Sequence, residues 1–251
     1  MATTFIQGNF KFEVIDEKKK MVRIMRKDEN TDFSGKLIIP SSVKENGTTY
    51  SVVEIGGVVC SKSHAVYNTV PDKRNKSGYR EEFLRNDITY EYGFGRTNIS
   101  EVVIPDSVKC ISYKAFEFCR NLKQVNLPKS LLELGEGAFS NVIHLGKISI
   151  PGSIKIIPEL CFYYTYLEKV VIQEGVKEIK KQAFFNTKIK ELSIPASVDS
   201  IENDAFTYNS KLKEVVIDDS DGTISIESGA FPKECKILYK SQMGFFGKLF
   251  H

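Results

Sequence analysis

One pattern recurs through residues 101–231 with a period of 22 or 23 residues, and it constrains the fold more than any other feature. Five copies end in a small residue followed by phenylalanine, at Phe116, Phe139, Phe162, Phe184 and Phe206. A sixth copy, with two extra residues, ends at Phe231. A period in this range is typical of a solenoid, in which each repeat is one unit of supersecondary structure that is stabilised by its stacked neighbours.

Each copy begins with a short alternating segment that predicts a β-strand with one buried face. Its two apolar positions are Val102/Ile104, Val125/Leu127, Ile148/Ile150, Val170/Ile172, Leu192/Ile194 and Val215/Ile217. In four copies proline follows directly, at Pro105, Pro128, Pro151 and Pro195. Because proline lacks an N–H and ends a ladder strand, the chain is predicted to turn there. Gln173 and Asp218 replace it in the other two copies, so the turn does not depend on proline alone.

A second apolar pair and the residue before phenylalanine complete each copy. Pairs such as Val108/Ile111 predict a second short strand or extended segment on the opposite wall. The small residue before each phenylalanine lets the backbone turn closely. The six phenylalanine rings are predicted to stack in the interior, where each burial contributes roughly 1.5–3 kcal/mol.

Two segments carry a family resemblance. Residues 122–145 (LKQVNLPKSLLELGEGAFSNVIHL) match the repeat pattern LxxVxIPxxVxxIxxxAFxxCxxL nearly position for position, and residues 39–56 (IPSSVKENGTTYSVVEIG) are similar to an interrupted first repeat. The chain therefore resembles the BspA-like leucine-rich repeat family of bacterial surface and secreted proteins, over roughly residues 33–60 and 93–240. One position departs from the pattern. The cysteine expected after Ala-Phe occurs only at Cys119, and its equivalents are Val142, Thr165, Thr187 and Asn209.

The repeats and the resemblance predict an α/β leucine-rich repeat solenoid that is rich in strand. We expect a parallel sheet with one strand per repeat, and short helical turns at the Ala-Phe positions. The whole chain, 1–251, is predicted to be a single solenoid. Its parts are an N-terminal capping hairpin (1–36), an interrupted first repeat (37–101) with an insertion (61–92), six regular repeats (102–236), and a final strand with a C-terminal cap (237–251).

The first repeat is interrupted after Gly56. Its equivalent of the Ala-Phe pair is either Val59-Cys60 or Gly93-Phe94. On either alignment, residues 61–92 form an insertion that is long for a loop. We predict a solvated loop with a short helix near residues 81–85, and a binding element is the alternative. Its basic residues are Lys73, Arg74, Lys76 and Arg80.

Composition limits the classes of function. The net charge of +3 is too small by itself to argue for nucleic acid or an anionic membrane as the partner. No apolar run is long enough to predict a transmembrane helix. Five cysteines without CxxC spacing predict buried free thiols in a reducing compartment: Cys60, Cys110, Cys119, Cys161 and Cys235. No metal site or cofactor is predicted, and a monomer is the default expectation.

The two ends of the chain bear on its location. The start lacks a basic region followed by an apolar one, so we expect either a cytoplasmic protein or one whose signal has been removed. The family resemblance favours an extracellular or cell-surface location. At the other end, Phe245, Phe246, Leu249 and Phe250 form an apolar tail, which we predict to be a lid over the last coil. A partner-docking or membrane-surface anchor is the alternative.

Function is predicted from the side chains that should point outward from the repeat strands. One column is Glu101, Gln124, Lys147, Lys169, Glu191 and Glu214, and the other is Val103, Asn126, Ser149, Val171, Ser193 and Val216. With Lys73, Arg74 and Arg80 of the insertion, these are the candidate ligand-binding residues. The sequence has no GxSxG, HExxH or phosphate-binding glycine loop.

We therefore predict that the chain is not an enzyme. We expect an interaction scaffold that binds a protein partner, or alternatively a peptide or glycan, through the sheet and the insertion. The alternative function is binding of an anionic surface or nucleic acid through the basic insertion and the Phe-rich tail.

Overall fold

The computed structural model of the chain describes residues 3–28, 30–56, 67–71, 79–83, 93–219 and 222–241, with only the backbone of 67–71 and 79–83. The segments before residue 93 contain eight strands: β1 (Thr4–Gln7), β2 (Phe10–Asp16), β3 (Met21–Arg26), β4 (Ser34–Ile38), β5 (Ser42–Glu45), β6 (Thr48–Ile55), β7 (Tyr67–Pro71) and β8 (Tyr79–Phe83). β7 and β8 pair in antiparallel fashion. The backbone of residues 81–83 is extended, so the prediction of a short helix near residues 81–85 is wrong for these three residues.

Two strands per repeat follow. The strands of the first wall are β9 (Asn98–Val103), β11 (Gln124–Val125), β13 (Lys147–Ile150), β15 (Lys169–Ile172), β17 (Glu191–Ile194), β19 (Glu214–Ile217) and β21 (Lys236–Tyr239). Those of the second wall are β10 (Cys110–Ile111), β12 (Glu133–Leu134), β14 (Ile156–Ile157), β16 (Glu178–Ile179), β18 (Ser200–Ile201) and β20 (Ser225–Ile226). All pairings between successive repeats are parallel, as the repeat pattern predicts.

The N-terminal strands join the stack through both walls, and β4 pairs in parallel with β9 of the first wall. β1, β2 and β3 form an antiparallel meander, and β3 pairs in parallel with β6, which in turn pairs with β10. Arg23 on β3 bridges Glu13 (2.9 Å) and Glu54 (2.7 Å) with all three side chains mostly buried. β5 and β6 form a hairpin around Asn46 (φ 47°) and Gly47 (φ 80°), the left-handed pair that a tight Asn-Gly turn requires.

A column of phenylalanine rings runs through the interior of the stack. Phe94, Phe116, Phe139, Phe162, Phe184, Phe206 and Phe231 stack in sequence, with ring centroids 5.1–5.9 Å apart and planes within 19° of parallel. Phe94 therefore occupies the Ala-Phe position of the first repeat, which decides between the two alignments that the sequence allows. The rings of Phe10 and Phe33 cover Phe94 from the N-terminal side.

The Ala-Phe segments are turns that bond to the next coil, so the helical turns predicted from the sequence are wrong. Each column phenylalanine donates its N–H to the carbonyl of the small residue one coil further on, at 2.7–2.9 Å from Phe116 through Phe206. Flanking residues such as Lys114 (φ 53°) and Phe118 (φ 59°) are left-handed. This conformation turns N–H groups toward the neighbouring coil rather than along a helix, and it gives the stack a third hydrogen-bonded face.

Prolines interrupt the first wall. From β9 onward, each junction is the boundary between two successive strands of the first wall. The two strands share four registered residue pairs where the later strand is followed by Gln173, Asp218 or Lys240. Where proline follows, the junctions keep two pairs (β9–β11), none (β11–β13) and one (β15–β17). The β4–β9 pairing keeps five registered pairs although Pro105 comes two residues after β9, so proline alone does not shorten a ladder. Gln173 and Asp218 donate their N–H to the preceding coil at 3.0 and 2.9 Å, and proline has no N–H to donate.

The second wall breaks at the same junction. Gly135, Lys180 and Glu202 each donate an N–H to the preceding coil at this position of the repeat, at 2.7–2.9 Å. Pro158 occupies the equivalent place in the coil of β13 and β14 and cannot do so. Within the described residues no strand pair joins β12 to β14, just as none joins β11 to β13. The coil of β13 and β14 thus carries two prolines, Pro151 and Pro158. Each of them removes a hydrogen bond that would join one wall to the preceding coil.

Across this junction the coils are held by the turn face and the core. Gly137, Phe139 and Asn141 donate N–H groups to the carbonyls of Glu159, Cys161 and Tyr163 at 3.1, 2.9 and 2.8 Å. The Phe139 and Phe162 rings lie 5.6 Å apart and only 3° from parallel. The break is therefore confined to the walls.

The aromatic column gives the first prediction. Phe184→Ala removes a fully buried ring between Phe162 and Phe206, so we expect the free energy of unfolding to fall by about 3–5 kcal/mol in a denaturant titration. Phe139→Ala should behave in the same way. Phe185→Ala is the matched control because the half-buried ring of Phe185 lies at the surface between Tyr163 and Tyr208. It should lower the free energy of unfolding clearly less than Phe184→Ala does. Equal losses for Phe184→Ala and Phe185→Ala would show that the column does not carry the stack.

A candidate binding groove on the repeat sheet

The two columns of predicted ligand-binding residues lie on the outward face of the first wall. Gln124, Lys147, Lys169, Glu191 and Glu214 are exposed, and Glu101 is half-buried because it pairs with Lys36 at 2.8 Å. In the second column Asn126, Ser149, Val171 and Ser193 are exposed, and Val103 and Val216 are half-buried. Successive members lie opposite each other in register, for example Lys147 with Lys169 and Ser149 with Val171. The structure therefore brings these twelve residues onto one surface.

A groove opens on this surface where the first wall is broken. Its volume is about 350 Å³, and it is lined by Lys123, Gln124, Val125, Lys147, Ile148, Ser149, Lys169 and Val171. These residues come from β11, β13 and β15, with Lys123 directly before β11. The groove therefore lies at the β11–β13 junction, where Pro151 has no N–H to donate to the preceding coil. Lys123, Val125 and Ile148 were not among the predicted site residues, because the period alone does not reveal which junction is open.

Three lysines give the groove a positive charge. The carboxylates nearest in the row are Glu101, which already pairs with Lys36, and Glu191, which is paired in register with Lys169. Within the described ranges, none of Lys123, Lys147 and Lys169 forms an ion pair within 4 Å, and no acidic residue lines the groove. Their ammonium groups are thus available to an anionic partner.

The broken junction also leaves backbone donors facing the groove. On β15, Lys169 and Gln173 donate to Gly146 and Ile150 of the preceding coil at 3.2 and 3.0 Å, so every second N–H points in that direction. The register makes Lys147 and Ser149 the equivalents on β13. In the described chain β11 and β13 share no ladder pairing, so neither amide has a registered partner on β11. On the other side of β11, Asn126 bonds Ile104 through its side-chain amide, with both contacts at 3.1 Å.

The other three predicted binding residues belong to the insertion. Lys73 and Arg74 lie outside the described residues, and Arg80 belongs to β8, of which only the backbone is described. The Phe-rich tail, 242–251, also lies outside them. Binding of an anionic surface or nucleic acid through these two segments stays a prediction.

The repeat position at which the family pattern has cysteine, three residues after each column phenylalanine, has a structural role. The sequence did not reveal this role. Cys119, Thr165 and Asn209 are buried and donate to the carbonyl of a column phenylalanine: Phe94 (3.0 Å), Phe162 (2.8 Å), and both Phe184 and Phe206 (2.8 Å each). Thr187 donates to the Asn209 side chain. The position requires a donor for a buried turn carbonyl, which cysteine, threonine and asparagine all supply, and Val142 does not.

Burial keeps the described cysteines protonated. It raises the pKa of Cys110 to about 12 and of Cys119 to about 11, and it raises the pKa of Cys161 further still. For the half-buried Cys235 burial also raises the pKa. All four are free thiols. Because the thiolate is the nucleophile, none of these four groups is activated for chemistry near neutral pH.

The thiol pKa values give the second prediction. With iodoacetamide at pH 8, Cys119 and Cys161 of the folded chain should remain unmodified, because their thiolate fraction is very small and their sulfur atoms are buried. Peptide mass spectrometry reads out each site, and the same reaction in denaturant is the control in which both should be alkylated. Modification of Cys161 at the same rate with and without denaturant would contradict the burial of its coil.

A second hollow, of about 460 Å³, lies beside β9 and is lined by Arg96, Thr97, Asn98, Phe118 and Arg120. The guanidinium groups of Arg96 and Arg120 lie 5.3 and 5.7 Å from the centre of the Phe118 ring. Both cations are therefore already in contact with an aromatic face. Among the side chains that the structure describes, no three His, Cys, Asp or Glu residues cluster closely enough to hold a metal ion. No helix within the described ranges has the length and apolar character needed to span a bilayer.

The geometry defines a repeat protein whose coils contribute one strand to each of two parallel walls and one bonded turn to a third face. The sequence of residues 87–213 matches the model of the BspA type Leucine rich repeat region, with six copies. This match covers half of the chain, and the chain belongs to the BspA-type leucine-rich repeat family. The resemblance inferred from residues 122–145 is thus confirmed. The strand-rich fold with parallel sheets is confirmed as well.

Several solved structures are similar to this chain. The pneumococcal vaccine antigen PcpA aligns with a TM-score of 0.62 and 20% identity, over 87% of this chain and 51% of that chain. The chain thus spans about half the length of PcpA, and at this identity the likeness concerns the fold alone. A leucine-rich repeat protein of Bacteroides capillosus has 27% identity, a TM-score of 0.47, and coverage of 68% of this chain and 98% of its own.

A leucine rich cell surface protein of Faecalibacterium prausnitzii has 18% identity and a TM-score of 0.48, with coverage of 94% of this chain and 76% of its own. No curated protein sequence matches the chain.

Proposed function

We propose that this chain is a non-catalytic interaction scaffold, a single leucine-rich repeat solenoid that binds a protein partner through the outward face of its first wall. The observation that carries the proposal is the groove at the β11–β13 junction, where apolar walls, three lysines and two backbone donors converge on one surface. A surface that combines an apolar floor with a polar rim is typical of protein-binding sites. A peptide or glycan is the alternative partner.

The chemistry of the described side chains supports a scaffold rather than an enzyme. A nucleophilic or acid–base site needs a nucleophile, a base and an orienting group within hydrogen-bond reach of each other. The described cysteines have raised pKa values, and His144, the one histidine within the described ranges, contacts the carbonyl of Arg120 on the surface at 2.5 Å. Neither kind of residue belongs to such a constellation.

The exposed valine of the sheet supports the same conclusion. Val171 is 43% exposed on the first wall and lies at the edge of the groove. An apolar side chain gains free energy when a partner removes it from water, by roughly 25 cal/mol per Å². The insertion at residues 61–92 remains part of the proposal because of its length, and it contains the antiparallel strand pair β7–β8.

The third prediction tests the binding face at its exposed valine. Val171→Glu replaces an apolar contact of the groove with a carboxylate, so the affinity for a bound protein or peptide should fall at least about tenfold, equivalent to about 1.4 kcal/mol. Ile156→Glu is the matched control, because Ile156 is a β-branched residue with the same 43% exposure on the second wall. Affinity is measured by surface plasmon resonance, with thermal melts to confirm that both variants fold. Full affinity in Val171→Glu would refute the proposed face.

A further inference from the structure

The outward charges of the first wall form an ordered row. Lys147, Lys169, Glu191 and Glu214 follow one another on β13, β15, β17 and β19, and each is in register with the next. These four positions therefore read two positive charges and then two negative charges, and the exposed Lys236 on β21 follows Glu214 in register. All four side chains are exposed, and none of them takes part in an ion pair within 4 Å in the part of the chain that the structure describes.

The spacing of the row can be converted into the spacing of a ligand. Neighbouring strands lie about 4.8 Å apart, so the middle of the lysine pair and the middle of the glutamate pair are about 10 Å apart. An extended chain rises about 3.3 Å per residue. Two oppositely charged groups on an extended segment therefore match the row when they are about three residues apart.

The groove adds an apolar contact at the positive end of the row. Lys123 brings a third ammonium group to it, and Val125 and Val171 offer partly exposed aliphatic surface beside Lys147 and Lys169. The unpaired N–H groups of Lys147 and Ser149 face the same space. The positive end can thus accept carboxylates and backbone carbonyls together with one apolar side chain.

Building on the proposed function, we propose that the partner presents an extended segment that is acidic at one end and basic at the other, and that lies across the strands of the first wall. Its acidic residues contact Lys147 and Lys169, an adjacent apolar side chain enters the groove, and basic residues about three positions along the segment contact Glu191 and Glu214. The binding face therefore selects both the charge and the direction of the segment.

A protein segment fits the row better than a uniform polyanion. Nucleic acid and anionic lipid carry negative charge without interruption, so they would meet Glu191 and Glu214 as well as the lysines. Like charges at such distances repel, and the repulsion offsets part of the attraction at the groove. A segment of mixed sign avoids this repulsion. The alternation of charge along the wall is thus what distinguishes the two classes of ligand.

The fourth prediction tests the inference with peptides of random sequence, displayed on phage and selected against the full chain at physiological salt. We expect the selected peptides to carry Asp or Glu about three residues away from Lys or Arg. In Lys147→Glu/Lys169→Glu the affinity for these peptides should fall at least tenfold. Because the row of this variant consists of four glutamates, peptides in which Lys or Arg replaces the acidic residues should regain affinity for it.

The matched control is Lys155→Glu/Lys177→Glu. These exposed lysines belong to the same two coils but lie next to β14 and β16 on the second wall, so the selected peptides should bind this variant as they bind the unchanged chain. Vesicles containing phosphatidylserine are the polyanion probe. Retention of the chain on such vesicles that is lost in Lys147→Glu/Lys169→Glu would overturn the inference in favour of an anionic surface.

The remaining outcomes separate the inference from the proposed function. Failure to select any peptide, or selected peptides that lack acidic residues, would overturn the inference about the charge of the segment. If Val171→Glu still weakens the binding of such uncharged peptides, only that inference is wrong and the binding face stands. If the peptides tolerate Val171→Glu, the binding face is wrong as well.

Discussion

The hydrogen bonds from Phe116 through Phe206 to the next coil are the interaction on which the rest of the structure depends. They fix the distance between coils at the turn face, and this distance brings successive rings into parallel stacking 5.1–5.6 Å apart. The same turns carry buried donors such as Thr165 and Asn209, which satisfy the phenylalanine carbonyls. Neither the stacking of two rings nor a bond between coils can form within one repeat, so each coil depends on its neighbours.

Because the turn face and core carry the stacking, the walls can lose hydrogen bonds without separating the coils. The coil that contains Pro151 and Pro158 shows this most clearly, since it lacks the closing N–H of both walls and still stacks Phe162 against Phe139. Proline thus ends the strands, as the sequence indicates, and from β9 onward the ladders of the first wall are shorter where proline follows the later strand. At the most open junction of the first wall the lost bonds leave a groove, and function is proposed there.

Much of this arrangement follows from the spacing of apolar residues. The two walls, the buried ring column and the outward position of Lys147, Lys169 and Val171 all follow from the period, since each side chain's direction is fixed by its register. The turn conformation does not follow in the same way. Ala-Phe is compatible with a helical turn, and only the left-handed φ angles of residues such as Lys114 and Phe118 direct the N–H groups to the next coil. The alignment of Phe94 also needed the three-dimensional contacts.

The groove itself was visible in the sequence only in part. Pro151 and Pro158 can be read directly, and their missing N–H groups are elementary chemistry. Their joint effect depends on both positions facing the same preceding coil, and this becomes apparent only when the two walls are seen together. Lys123, Val125 and Ile148 become site residues for the same reason.

Amide hydrogen exchange measured by NMR tests the open junction most directly. Ser149 and Val171 are in register on neighbouring strands and have the same place in the repeat, but only Val171 follows an intact junction. We predict that the Ser149 amide exchanges at least about tenfold faster than the Val171 amide, since an amide without a backbone acceptor exchanges without local opening. Equal protection of the two amides would show that β11 and β13 are hydrogen-bonded, and it would contradict the account of the groove.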